Sequence, residues 1–493
     1  MSDGDVDTST TADSSFESSM VSKPPTSALS SDLSSTLQPS SSALMFNFLN
    51  YDPYCDRNSS NVTSYSSFTY FVCRSLGLGS LCMPYSFKQV GVVTGLLLSF
   101  IAGFTFTYSF TLLCRFRYKI CQIHRVPTVS YQNMIEYGLE HGPKAIRCLS
   151  MFFRFTFIAM NLMLNFGKSC LYTKFASLAI QELFTEIGFD VNILDVSLSY
   201  EVVCLSFLLL PYTEHMKPVY VLSRIVCTVS LCITFYIIFK SNIHIDSQML
   251  MCGNWTDVFQ FFGTFLFSII PVVQVLKIED RLIKPENFVR PFNLLNLSMA
   301  VMINTYIVIG LCAYLDHEEV PIVIGNSVSV FKIIPAIRSR TIIKSCVAAN
   351  IIFFHRELCL ESVFLWSPSM SVTKIKSDKK MPFTTYLSPP FLAGLLAVSK
   401  ILYTFCSFLV TTAVPSPATR SFQAIMALIG YLGNACNMLV YPYAVELCVT
   451  YALHGMSARP YVIAKDMCFV LIGLLVFACG TYAVTARLIG DAD

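Results

Sequence analysis

The chain has 493 residues, 54% of them hydrophobic and only 13% charged, with a mean hydropathy of +0.59 and a formal net charge of +3. A water-soluble domain carries about 25% charged residues, so this balance excludes one and points to a protein embedded in lipid. The small positive charge leaves no footprint for nucleic acid. No phosphate loop, metal-ligand spacing or nucleophile elbow stands in the sequence, so neither an enzyme nor a cofactor is expected.

Residues 1–65 are serine-rich, with runs such as "SSDLSSTLQPSSS", and hold too little apolar surface to form a core. They read as a disordered cytoplasmic leader, either a phosphorylation or trafficking tail or an inert extension, and lack the apolar run of a cleavable signal. Residues 66–488 form the transmembrane domain, and 489–493 a short tail. A helix needs about 20 apolar residues to cross about 30 Å of hydrocarbon. Residues 92–114, 291–315, 421–445 and 467–486 contain no Asp, Glu, Lys or Arg, and 258–276 is nearly as long and equally uncharged. Further spans fall near 66–90, 150–181, 198–213, 219–239, 345–366 and 389–414. The expected fold is an all-α integral membrane protein of eleven transmembrane helices.

Connections rich in Lys and Arg stay cytoplasmic. Residues 115–147 carry Arg115, Arg117, Lys119, Arg125, Lys144 and Arg147; 277–290 carry Lys277, Arg281, Lys284 and Arg290; 367–388 carry four lysines. The connections 182–201 and 241–257 carry none. The amino terminus is thus expected inside and the carboxyl terminus outside, with the basic loop 316–344 dissenting. On that orientation Asn58 and Asn61 lie in the cytoplasm, whereas the sequon at Asn254 is a glycosylation candidate. No sorting signal separates a plasma-membrane address from an endolysosomal one. Most of the 19 cysteines fall inside spans, where they act as small apolar residues.

The first span is interrupted. "CRSLGLGSLCMPYSFKQVG" sets Gly77 and Gly79 two residues apart, with Ser75 and Ser80 beside them and Pro84 behind. Glycine costs roughly 1 kcal/mol in a helix interior, and unpaired backbone is tolerated at membrane depth only beside a protein-lined or watery cavity. Unwinding at 77–81 would bare amide N–H groups suited to a carboxylate, and carbonyls suited to an ammonium. Close helix packing at the glycines explains "GLG" equally well. The sixth span adds a second interruption, with Gly263 near one end and Pro271 inside. Spans one and six are the matching pair in a five-plus-five inverted repeat.

"GLGSLCMPYSFKQVG" resembles the first-span signature of the amino acid/auxin permease family, in particular its proton-coupled amino acid transporter branch. "RVPTVSYQNMIEYGLEHGP", "VLKIEDRLIKPENF", "YPYAVE", "HGMSARPYVIAKD" and "GTYAV" are similar to later family elements in the same order, over roughly 65–490. The resemblance implies an amino-acid permease with discontinuous helices 1 and 6 and one helix beyond the repeat. Two departures bear on coupling. Tyr70 stands where branch members carry a histidine associated with protons, and Ile269, Ile270 and Pro271 replace a phenylalanine-glutamate-glycine element.

Charges sit elsewhere in the spans. "IIFFHRELCLESVFLW" places His355, Arg356, Glu357 and Glu361 between apolar runs, where a central charge costs on the order of 2.5–3.5 kcal/mol. Glu357 and Glu361 share a helix face and form either a proton site, a partner for a cationic substrate, or a group at a wet helix end. Lys168, Lys174 and Lys400 also fall within spans; snorkelling suits Lys174, and Lys168 is left open. Glu446 matches a family glutamate, as a coupling group or a helix anchor. Asn434 and Asn437 suit helix linkage, and Glu279, Asp280 and Arg281 a hinge or gate on the cytoplasmic side. The expectation is a secondary transporter of small amino acids, with the proton as a candidate coupling ion. The carboxylate would lie on the amides of Gly77, Leu78, Gly79, Ser80 and Leu81, and the ammonium on the carbonyls of Phe267, Ser268, Ile269 and Ile270 before Pro271, with Ser75 and Ser80 adding polar contacts. An amino-acid sensor without appreciable flux is the alternative.

Overall fold

The computed structural model describes residues 51–57, 62–209, 254–290, 294–316, 389–416, 419–454 and 460–490, with single positions between 221 and 236. All belong to one compact unit, Phe48–Asp493. The eighth-span group His355, Arg356, Glu357 and Glu361 lies outside the described residues, as do most of the fifth span and the lysines of 367–388.

The first span is two helices. The side chain of Thr63 accepts the Ser66 N–H and starts α1 (Ser64–Ser75); α2 (Leu78–Val90) follows after Leu76 and Gly77. Gly91, at φ 79°, makes a turn that favours glycine and leads into α3 (Val92–His124). This helix runs ten residues past the apolar stretch that predicts it, so Arg115, Arg117 and Lys119 lie on its last turns and not in a loop. Hydropathy cannot see that extension, because partners elsewhere in the chain neutralise the charge of Arg117.

Two short helices, α4 (Tyr131–Glu140) and α5 (Lys144–Arg147), precede the long α6 (Ser150–Ile187), which ends on Gly188 at φ 96°. The fourth span is α7 (Ile193–Leu209). The sixth is again two helices, α8 (Trp255–Ser268) and α9 (Val272–Arg281), followed by α10 (Glu286–Val289) and α11 (Leu294–Asp316). After α12 (Pro389–Ala413), the tenth span runs from α13 (Arg420–Gly430) through a π turn at Tyr431–Ala435 into α14 (Cys436–Leu439) and α15 (Tyr441–His454). The chain closes with α16 (Pro460–Gly490).

Among the described residues, six helices are long and apolar enough to cross a membrane, counting Trp255–Arg281 and Arg420–Ala452 as one each. Helices α12 and α16 turn Leu395, Leu402, Leu471, Leu475 and Tyr482 outward. Such faces would be sticky in water and cost nothing against lipid tails.

Two packing groups matter for the site. Helix α2 lies against α8 and α11, and α11 also meets α3. Helices α6, α7 and α12 pack on one another, while α13 and the π turn touch both α8 and α6. A buried cluster joins the groups, bringing Leu78 and Phe267 against Tyr172 and Phe175.

A candidate substrate site where two helix breaks meet

Each break has its own local cause. Gly77 adopts φ −117° and ψ −158°, an extended conformation open to any residue, so space and not strain calls for glycine there. A Cβ at Gly77 would lie 2.5 Å from the Tyr172 hydroxyl oxygen. At Gly79 the demand is sharper, because a Cβ would lie 2.0 Å from Ser268 Oγ and 2.8 Å from its Cα. Without a side chain there, the first turn of α2 rests directly on the last turn of α8. The second break belongs to proline. Ile269 and Pro271 are extended at φ −64°, ψ 148° and φ −60°, ψ 140°. Pro271 has no N–H to return to the carbonyl of Phe267, four residues back.

Backbone groups freed in a low-dielectric interior must find partners. Tyr306 on α11 supplies the central one. Its hydroxyl lies 2.5 Å from the Ser75 carbonyl oxygen and 3.0 Å from that of Ser268, the last residues of α1 and α8. One phenol therefore serves both breaks. The Ile269 carbonyl accepts from Lys168 Nζ at 3.3 Å, and this ammonium also sits 5.2 Å from the centre of the Phe267 ring. The Tyr172 hydroxyl stands beside Gly77, just before α2, and its ring packs in the buried cluster that holds Leu78. Lys168 and Tyr172 stand one turn apart on α6. Below them Arg74 Nε donates to Gln274 Oε1 at 2.8 Å, tying the end of α1 to α9.

The expected site residues Ser75, Gly77, Leu78, Gly79, Ser80, Phe267, Ser268 and Ile269 converge on this junction. Ile270 and Pro271 are buried in the second break, and Leu81 packs at the edge of the cluster that holds Leu78. The serine hydroxyls donate within their own helices: Ser75 to Phe71 O at 3.0 Å, Ser80 to Gly77 O at 2.7 Å and Ser268 to Thr264 O at 2.7 Å. What remains for a ligand is their acceptor capacity. Asn434 reaches from the π turn to the Leu266 carbonyl at 2.8 Å, the helix linkage its sequence position suggests.

Charged groups also gather elsewhere in the molecule. At the end of α9, buried Glu279 pairs with Arg117 at 3.0 Å and Arg57 at 3.5 Å, while Asp280 pairs with Arg117 at 2.8 Å. Tyr54 donates to Glu279 at 3.1 Å; burial, then the Glu279 charge, pushes its phenol pKa up. The leader expected to be without structure thus contributes 51–57 to a cluster against α9, and its cations are Arg57 and Arg117. Glu446 accepts from Lys465 at 2.8 Å, and the same ammonium bonds Tyr108 at 2.8 Å and Asp466 at 3.0 Å, joining α15, α16 and α3. Glu201 on α7 is 2% exposed and accepts from Thr173 at 2.9 Å and Ser407 at 3.1 Å. Asn254 opens α8, where its N–H donates to Asp257 at 3.2 Å.

Sequence reasoning missed Tyr172, Tyr306 and Glu201. The signal for Glu201 was a single carboxylate in an apolar run. The tyrosines gave none, since a tyrosine inside a span looks like any core aromatic.

Known proteins match this architecture. The family described as "Transmembrane amino acid transporter protein" matches residues 60–486. The Drosophila melanogaster "Proton-coupled amino acid transporter-like protein pathetic" is 21% identical over 448 residues, covering 89% of this chain and 88% of that one. Among solved structures, MhsT in complex with L-phenylalanine covers 87% of this chain and 100% of its own at 11% identity, with a TM-score of 0.52. A variant of the Eremococcus coleocola manganese transporter covers 89% and 92% at 12% identity, with a TM-score of 0.50. At such identities the two structures show a shared transporter fold and nothing finer. With the family matched over most of its length, this chain belongs to the transmembrane amino acid transporter protein family: it is an integral membrane transporter and not an enzyme.

Proposed function

We propose that the chain carries small amino acids across its membrane by alternating access, with the substrate zwitterion held between the two helix breaks. One observation carries the reading. Both interrupted spans end their first halves on carbonyls that share the hydroxyl of Tyr306, and an amide end of α2 lies beside them. Peptide groups of both signs thus come together at one junction, the arrangement that recognises an ammonium and a carboxylate a bond or two apart. Gly79 sets the scale, since helices in direct backbone contact leave little room for a large side chain. The names of the family and of the Drosophila relative support transport over a sensor without flux.

Proton coupling is part of the proposal. An ordinary tyrosine, with a pKa of about 10, is a poor substitute for a histidine proton carrier near neutrality, so a carboxylate would have to take the role that Tyr70 does not. Glu446 and Glu201 are the described candidates, and Glu357 and Glu361 the remaining ones. The plasma membrane and the endolysosomal membrane are both suitable, with the amino terminus and the Glu279 cluster on the cytoplasmic side.

Purified protein in proteoliposomes, offered glycine and the other proteinogenic amino acids in labelled form with and without an imposed pH gradient, tests the reading. Saturable uptake of small amino acids is expected, enhanced by an inward proton gradient. No saturable uptake or counterflow of any of them would overturn it.

A further inference from the structure

The junction at which a zwitterion would rest already holds two polar side chains from one helix. The Ile269 carbonyl, an ammonium acceptor in the proposed site, is bonded by the ammonium of Lys168 at 3.3 Å. At the amide break the hydroxyl oxygen of Tyr172 lies where a Cβ on Gly77 would meet it at 2.5 Å, within the buried cluster that also holds Leu78. Both side chains are buried, Lys168 at 4% exposure, and they leave α6 one turn apart on the same face. Their spacing mirrors the ligand's own layout: a cation at the carbonyl break and an oxygen at the amide break.

This geometry has a consequence for the transport cycle. Helix α6 packs with α7 and α12, whereas the breaks belong to the group formed by α2, α8 and α11. Alternating access moves such groups against each other around the site. A carrier whose bare carbonyl and amide groups lack partners when unloaded closes around them only at a steep cost, and can cross only when loaded. Such a protein exchanges and does not concentrate. Here two side chains can take the ligand's place across the gap.

We propose that Lys168 and Tyr172 act as an internal surrogate for the zwitterion, satisfying both breaks during the return of the unloaded carrier and making net transport possible. Substrate displaces the pair, and the pair resumes its place once substrate leaves. They are positioning residues, and the inference rests on the amino-acid reading above.

The test compares two rates in the same proteoliposomes. They are loaded with whichever labelled amino acid, out of glycine and the proteinogenic set, gives the greatest counterflow with the unaltered protein. Efflux is followed into medium without amino acid (net transport) and into medium with the unlabelled compound (exchange). The unaltered protein is expected to show net efflux within about tenfold of exchange. In Lys168→Met and Tyr172→Phe the ratio of net efflux to exchange is expected to fall at least tenfold. Lys168→Arg, which keeps a cationic donor, should restore it. Because the ratio is taken per vesicle population, partial loss of folded protein cancels.

Strict exchange by the unaltered protein would overturn the proposal while leaving the amino-acid reading intact. So would variants whose two rates fall together or do not change. Absence of counterflow with every amino acid would overturn the transport reading itself, and this inference with it.

Discussion

The two breaks solve one problem with different materials. In the first span, glycine gives room: Gly77 and Gly79 let Tyr172 and Ser268 approach where any side chain would collide. In the sixth, proline withholds a donor, and extended backbone at Ile269 and Pro271 follows. The first is an absence of bulk, the second an absence of a hydrogen bond. They are also held differently below the junction. Helix α9, behind the second break, ends in the buried pair of Glu279 and Arg117, whereas α1, before the first, is tied through Arg74 and Gln274. A broken span in a membrane is therefore a division of labour. One residue forbids the helix or clears its path, and a distant side chain satisfies what is left bare.

Substitutions at each kind of support can break or sharpen this contrast. The largest effect is expected from Glu279→Gln, which leaves buried Arg117 and Arg57 short of a counter-charge. Breaking a buried pair costs about 3–5 kcal/mol, so the melting temperature in detergent should fall steeply. Little change would show that α9 is anchored elsewhere. Gly79→Val comes next. Its Cβ would meet Ser268 Oγ at 2.0 Å and backbone at 2.8 Å, so the two breaks must part. Loss of uptake with surface expression retained is expected, together with an overpacking cost of about 1–3 kcal/mol.

Tyr306→Phe tests the element common to both. Removing the hydroxyl leaves the Ser75 carbonyl with only the Gly77 N–H, at 3.1 Å, and takes the donor from the Ser268 carbonyl, at about 1–3 kcal/mol for an unsatisfied buried group. Thermal stability and uptake should decline together. Gly77→Ala should do least. Its backbone suits alanine, and the collision at 2.5 Å is with the end of the Tyr172 side chain. Uptake within about tenfold of the unaltered protein is expected, since 1.4 kcal/mol of displacement is a factor of ten. A Gly77→Ala variant as inactive as Gly79→Val would erase the distinction between the two glycines.

Much of this was legible in the sequence, for reasons that can be given residue by residue. Long uncharged runs such as 92–114 and 467–486 admit no structure but a spanning helix, because backbone groups in lipid must bond within their own segment. Gly77, Gly79 and Pro271 announce the breaks because their effect on a helix is local. Lys168 announced itself as a charge where charge is expensive, without saying where it pointed. Arg115, Arg117 and Lys119 misled: counted as loop, they ride on α3 because Glu279 and Asp280 come to meet Arg117 from more than 160 residues away.

What the sequence alone determined is a lipid-embedded helical chain with two faulted spans, since burial in hydrocarbon and helix propensity act over a few neighbouring residues. What only the tertiary structure decided is what heals the faults. Tyr306 reaching both carbonyls, Tyr172 beside Gly77 and Lys168 on Ile269 are contacts between separate helices. The hydrogen bond is short-ranged and directional, so its partners follow from how helices pack and leave no period or composition in the chain to be read beforehand.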